Sequence, residues 1–273
     1  MKLKRLYNTQ HFIEENYNKI IALEELENIS CYSYRNIQRI FKSVFNETIG
    51  AYQTRLKLEN GYKKIIYTKL QLSDIALQVG YSDLQAFSKA FKKHFDCSPQ
   101  QARHLKTNLF EEKKLTPKIS EDFQLPDILK LEPLTVYYQS LKTNYVNSEI
   151  ELLWKDMEQY KFEKGGTEYF GIIADEPIIT DAINCRYDAC VSQQPINKIL
   201  PAKKIFNGTY ARFKHVGSYD SIEDTYRQIY GGWILNNDLE FSEKPIIEHY
   251  FKHDTNIKGL EKIETHIFIP LAE

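Results

Sequence analysis

The chain writes one helical pattern twice. CYSYRNIQRIFKSVF, from Cys31, and GYSDLQAFSKAFKKHF, from Gly80, superpose at a shift of 50, with Ile37 on Phe87, Phe41 on Phe91 and Phe45 on Phe95. The Tyr-Ser pairs at 32–33 and 81–82 are 49 apart, so the second copy carries one extra residue before its helix. In the first copy Ile37, Ile40, Phe41, Val44 and Phe45 fall on one helical stripe, so Arg35, Gln38, Arg39 and Lys42 point outward. The second copy offers Gln85, Ser88, Lys89 and Lys92 at the matching places. A short helical run precedes each copy, LEELENI and LSDIALQV, and a tight Cys-Tyr-Ser or Gly-Tyr-Ser connection follows it. That is helix, turn, helix, twice, with GAYQTRLKLENGYKKIIY as the connecting helix. Helical periodicity holds to about Lys106 without strand alternation, which predicts an all-α first half.

Charge gives the repeat a meaning. Residues 1–120 hold 20 Lys+Arg against 12 Asp+Glu, a balance of +8, while residues 121–273 hold 16 against 25, a balance of −9. One half is suited to a polyanion. Arg and Gln can read purine edges in the major groove, and Lys suits phosphates. For one copy the plain alternative is that any amphipathic helix has a polar back. Two copies on a rigid spacer, in a half of charge +8, make reading of successive groove segments the better explanation.

These residues resemble the DNA-binding domain of AraC/XylS transcriptional regulators over roughly residues 5–108. The marks are A-x-x-x-G-Y (Ala76, Gly80, Tyr81), F-x-x-x-F-K (Phe87, Phe91, Lys92) and F-x-x-S-P-x-x-x-R (Phe95, Ser98, Pro99, Arg103). The resemblance implies two recognition helices in adjacent major grooves of promoter DNA, and RNA polymerase as a further partner. By position it implies base-facing roles for Arg35, Gln38 and Arg39 in the first helix and for Leu84, Gln85, Ala86 and Lys89 in the second, with Lys42 and Lys92 beside them. Leu84 and Ala86 are apolar where relatives often carry polar groups, so the second helix is expected to lean on thymine methyls and phosphates.

Between Phe110 and Pro133 three prolines and mixed charge suit a linker or an irregular crossing. The expected division is a DNA-binding domain at 1–110, a linker at 111–123 and a second domain at 124–273. The second domain carries its own repeat. Strand TVYYQSL, helix SEIELLWKDMEQYKF and strands EYFGII and RYDACV recur as TYARFKHV, SIEDTYRQIYGGWI, IIEHYF and ETHIFI. Two β-α-β-β units, neither able to close a core alone, predict one α+β domain with a pocket at their junction. The marks RYDACV at Arg186, H-x-G-x-Y at His215, Gly217 and Tyr219, and PIIEHYF with Glu248 resemble the GyrI-like effector-binding domain. That resemblance implies a small-molecule effector, often bulky, apolar and cationic, in the cleft between the repeats. Glu248 alternates with Ile246 and Tyr250 on one strand face. It is either an exposed solvent-face residue or a carboxylate set among hydrophobes, costly there without a cationic partner. Tyr187, Trp233 and Tyr250 are candidate aromatic walls, each equally able to be core.

Other chemistries find little footing. Some GyrI-like relatives hydrolyse small molecules with a Glu near an aromatic hydroxyl, which keeps Glu248 with Tyr187 open to that use, and others dock on macromolecules. There is no phosphate-binding glycine loop, metal cluster or Ser-His-Asp spacing, so no catalytic residue, cofactor or metal is expected. Cys31, Cys97, Cys185 and Cys190 lack C-x-x-C spacing and are expected as buried thiols. With no long apolar run, no membrane partner and a cytoplasmic location are expected.

Overall fold

The computed structural model describes residues 2–106, 123–145, 147–163, 165–253 and 259–272. The chain divides into two compact units, Met1–His104 and Leu105–Glu273. The linker expected at 111–123 lies, Phe123 apart, outside the described residues.

The first unit is all helix: α1 (Lys2–Glu15), α2 (Leu23–Ser30), α3 (Tyr34–Phe45), α4 (Ile49–Tyr67), α5 (Leu72–Gln78), α6 (Leu84–Phe95) and α7 (Pro99–His104). α2–α3 and α5–α6 are the two helix-turn-helix units, and α4 joins them. The repeat is visible in the backbone as well as the side chains. Both turns enter the left-handed region, at Cys31 (φ 55°) and Gly80 (φ 83°), and both second helices end there, at Asn46 (φ 60°) and Asp96 (φ 57°). Gly80 has no substitute, because a Cβ would stand 2.1 Å from the Asn18 carbonyl oxygen. Phe41 packs at a tilt against Phe45 (4.5 Å) and Tyr52 (5.4 Å), and Phe91 against Phe95 (4.7 Å) and edge-on to Tyr62 (5.2 Å). Ile37, Phe41, Phe87 and Phe91 are fully buried, each stabilising the fold by about 1.5–3 kcal/mol.

Two expectations are corrected in this unit. Val44 is 41% exposed, because the buried row is Ile37–Phe41–Phe45, spaced by four, and Val44 lies beyond its edge. Cys31 is exposed and Cys97 partly so, whereas Cys185 and Cys190 are buried; Cys31 occupies a left-handed helix cap that faces solvent.

The second unit is an eight-stranded sheet in the order β1-β6-β8-β7-β3-β4-β2-β5. Its strands are β1 (Asp127–Leu131), β2 (Leu134–Lys142), β3 (Tyr169–Ile173), β4 (Arg186–Val191), β5 (Ala202–Ile205), β6 (Gly208–Val216), β7 (Ile246–Lys252) and β8 (Glu264–Pro270). Helix α8 (Asn147–Met157) and helix α9 (Ile222–Arg227), continued by a π-helical stretch Gln228–Ile234, supply the helices of the repeats. The units β2-α8-β3-β4 and β6-α9-β7-β8 meet where β3 pairs with β7, so the sheet order is symmetric about that seam. Strand β1 forms inside the stretch expected as an irregular crossing, pairing with β6 at the sheet edge. Helix α8 stops at Met157, short of the helical run read from sequence.

Candidate functional site

On α3 Arg35, Arg39 and Lys42 are exposed, with Arg39 Nη2 held by Asn36 Oδ1 at 3.1 Å. Gln38 differs. It is half-buried, its amide donates to the Tyr34 hydroxyl at 2.6 Å, and its carbonyl accepts the Ile49 amide at 3.4 Å. One amide hydrogen is thus held within α3 and the carbonyl reaches the start of α4, so Gln38 is less available than Arg35, Arg39 and Lys42. On the second helix Leu84, Gln85, Ala86, Lys89 and Lys92 are all exposed. Asp83 caps this helix by accepting the Ala86 amide at 2.8 Å, and Lys92, Lys93 and His94 fill its last turn, where cations complement the helix dipole.

In the second unit the ladder register sets Ala189, Gly171, Glu248, Ile267 and Phe213 in one cross-strand row on one face. Glu248 is 6% exposed, which removes the solvent-face alternative. Tyr226 of α9 donates to its Oε1 at 2.8 Å and Tyr250 to its Oε2 at 2.6 Å. The Tyr250 hydroxyl also meets the Tyr187 hydroxyl at 2.5 Å, and Trp154 Nε1 of α8 donates to Tyr187 at 3.0 Å. Helix α9 therefore touches the carboxylate directly, and α8 is linked to it through the Tyr187 and Tyr250 hydroxyls. Trp154 and Tyr219 stand edge-on to the Tyr250 ring at 5.4 and 5.5 Å, and Trp154, Tyr219, Tyr226 and Tyr250 remain partly exposed. Burial raises the Glu248 pKa, an effect the Tyr250 and Tyr226 hydrogen bonds oppose. Burial and the neighbouring carboxylate push the Tyr187, Tyr226 and Tyr250 hydroxyls well above the ordinary tyrosine value, so they stay protonated donors. Among the described residues no Lys, Arg or His pairs with Glu248.

The sequence marks divide between this site and its frame. Tyr187, Tyr250 and Glu248 come together. Trp233 does not join them: it packs against Phe213 (4.9 Å) and Phe241 (5.4 Å), and Phe213 lies two strands beyond Glu248 in the row. Arg186 forms a buried ion pair with Asp175 at 3.0 Å. His215 is fixed by the Ser218 carbonyl at 3.1 Å and Thr225 Oγ1 at 2.8 Å, anchoring the approach to α9. Trp154 and Tyr226 were missed because each sits on an amphipathic helix where an aromatic reads as core. A groove of about 490 Å³ is lined by Phe162, Glu163, Tyr169 and His253 among others, and of these Tyr169 stands edge-on to Trp154 at 6.2 Å.

Residues 125–272 match the family described as GyrI-like small molecule binding domain, and residues 26–104 match a helix-turn-helix domain. The HTH-type transcriptional regulator YkgA of Escherichia coli (strain K12) is 34% identical over 104 residues, 38% of this chain and 44% of that protein, so the chain spans less than half of that relative's length. The regulatory protein SoxS of Escherichia coli (strain K12) is 30% identical over 93 residues, 34% of this chain and 87% of SoxS. Among solved structures, the EcmrR C-terminal domain aligns with a TM-score of 0.45 at 17% identity, covering 56% of this chain and 99% of that one. No helix among the described residues is long and apolar enough to cross a membrane. The chain belongs to the AraC-type helix-turn-helix family and carries a GyrI-like small molecule binding domain.

Proposed function

We propose that the chain is a one-component transcription regulator in which a domain at 1–110 binds promoter DNA through α3 and α6, and a domain at 124–273 binds a bulky aromatic cation at Glu248. RNA polymerase is the partner through which the bound regulator alters transcription. The observation that carries the effector reading is a carboxylate 6% exposed whose hydrogen-bond partners are the neutral hydroxyls of Tyr226 and Tyr250. A desolvated negative charge rewards a positive ligand. The partly exposed rings of Trp154, Tyr219 and Tyr250 add cation–π contact of about 0.5–2 kcal/mol each. Turnover has less support, since both Glu248 oxygens already accept hydroxyl protons.

The test is calorimetry on the full chain with tetraphenylphosphonium and its neutral counterpart triphenylphosphine oxide. Wild type is expected to favour the cation. Glu248→Gln keeps the shape and removes the charge, so cation affinity is expected to fall by about tenfold or more while the neutral compound is unaffected. Equal cation affinity in both proteins overturns the reading.

A further inference from the structure

Gly171 of β3 lies directly across the ladder from Glu248, with Ala189 of β4 on its other side. The row therefore has no side chain next to the buried carboxylate on the β3 side, and only a methyl group one strand further on. Tyr187 and Tyr250 stand in the rows to either side. Tyr187 pairs with Ile173, two residues after Gly171, and Tyr250 follows Glu248 by two on the antiparallel partner. Their side chains lean toward each other over Gly171 until the hydroxyls meet at 2.5 Å.

A Cβ at Gly171 would stand 2.2 Å from the Tyr187 hydroxyl oxygen, 2.9 Å from its Cζ and 2.7 Å from the Tyr250 hydroxyl oxygen. Gly171 is not in the left-handed region, so an alanine meets no backbone strain there and the obstacle is space alone. The hydrogen bonds give that space a role. Trp154 Nε1–H can only donate, so it donates to Tyr187. Tyr250 gives its proton to Glu248, so Tyr187 donates to Tyr250. Every proton in the chain Trp154, Tyr187, Tyr250 points toward Glu248, and the chain closes only if both hydroxyls sit where a Cβ would be.

We infer that Gly171 is a positioning residue of the effector site: its missing side chain is the space in which the Tyr187 and Tyr250 hydroxyls meet, and this fixes how Tyr250 is presented to Glu248. The inference rests on the reading of Glu248 as the cation site. Tyr250 is also the ring held edge-on between Trp154 and Tyr219, so moving its hydroxyl moves the aromatic wall. Gly171 thereby acts on ligand selection without touching the ligand.

Two measurements on the full chain test this without any ligand. In a Trp233→Phe background Trp154 is the sole tryptophan. Gly171→Ala is expected to shift its emission by a few nanometres as the bond from Nε1 to Tyr187 breaks. In parallel, the drop in unfolding midpoint caused by Gly171→Ala is expected to fall to at most half when Tyr187→Phe and Tyr250→Phe remove the hydroxyls. The remaining contact with the ring carbon keeps the relief from being complete. If Gly171→Ala alone does not fold, recovery of folding in the double-Phe background is the supporting result, and failure there too overturns the inference. Unchanged Trp154 emission with the same midpoint loss in both backgrounds overturns it as well. The effector reading is judged separately: should Glu248→Gln leave tetraphenylphosphonium affinity unchanged while the Gly171 and tyrosine substitutions still couple, the cation reading falls and the packing relation stands.

Discussion

Gln38 and Arg39 are neighbours on α3, yet one is half-buried and bonded to the fold while the other is exposed to solvent. The Gln38 amide donates to Tyr34 and its carbonyl takes the Ile49 amide, whereas the Arg39 guanidinium has one short tether to Asn36 and otherwise faces outward. Arg39→Ala is expected to cost about 1–3 kcal/mol on the specific site and to relax selectivity there. Gln38→Ala is expected to lower the unfolding midpoint while leaving the ratio of specific to random binding close to wild type. Gel shifts with cognate and random duplexes separate the two. An unchanged ratio for Arg39→Ala would remove it from the groove.

Lys92 sits in the last turn of α6, exposed beside Lys93 and His94. A point charge there suits phosphate. Lys92→Ala is expected to weaken cognate and random duplexes alike and to lower the salt slope by about one counterion. Affinity measured across a salt series checks this, and a loss confined to the cognate site would instead assign Lys92 to base reading.

What the sequence made legible follows from how local each signal is. The 50-residue offset and the positions of Gly80, Phe87 and Phe91 specify both helix-turn-helix units, because helical period and a forced left-handed turn are properties of short stretches. The β-α-β-β duplication was legible for the same reason, and Glu248 stood out as a charge in an apolar alternation. Strands β1 and β5 were not, being four or five residues long and outside the repeat; pairing with β6 and β2 makes them strands. Tyr226, which donates to Glu248, and Trp154, which donates to Tyr187, were not either, although Tyr250 was. Trp154 and Tyr226 lie 94 and 22 residues from Glu248 along the chain and converge only when the helices of both repeats settle on one sheet face. Gln38 shows the same limit on a helix, since whether a polar residue faces outward depends on Tyr34 and Ile49 within reach.

His249 and His266 are paired across β7 and β8. Burial, helped by His266, pushes the His249 pKa down from 6.5 to about 4, although Glu168 stands 3.4 Å away. A folded-state pKa below the unfolded one means that protons favour the unfolded chain, so this stability is full above about pH 6.5 and is lost as pH falls toward 4. Glu264 acts in a second window. Burial there is outweighed by hydrogen bonds from Lys252, His266 and Lys214, which hold its pKa at about 2 against an ordinary 4.5, so its contribution is lost as pH falls from 4.5 toward 2. Both tryptophans lie in the second unit, so their emission follows its unfolding. His249→Gln is expected to reduce the slope of the midpoint between about pH 6.5 and 4, the rest coming from His215, whose pKa burial also lowers, and to leave the lower window in place; an unreduced wild-type slope in the upper window would assign it to His215 or another group.

Arg55 on α4 is a buried cation between two carboxylates. Its Nη2 meets Glu47 Oε1 at 2.7 Å and its Nη1 meets Glu59 Oε2 at 3.0 Å, with side chains 7%, 16% and 5% exposed for Arg55, Glu47 and Glu59. The guanidinium also lies 5.1 Å over the Tyr52 ring, part of the core beneath the first helix-turn-helix unit. Replacing buried ions by well-packed apolar groups is often neutral, but removing one partner strands the others. Arg55→Met removes the cation shared by Glu47 and Glu59 and is expected to cost about 3–5 kcal/mol. Glu47→Gln keeps the Arg55–Glu59 pair and removes only the more exposed charge, so its cost is expected to be much smaller. Denaturant unfolding followed by far-UV circular dichroism checks the order, and adding Glu47→Gln and Glu59→Leu to Arg55→Met is expected to recover most of the loss. Equal losses for Arg55→Met and Glu47→Gln would show that solvent reaches the cluster well enough to screen the stranded charges, and α4 would then owe its place to Tyr52, Leu56 and Tyr62 rather than to the ion triad.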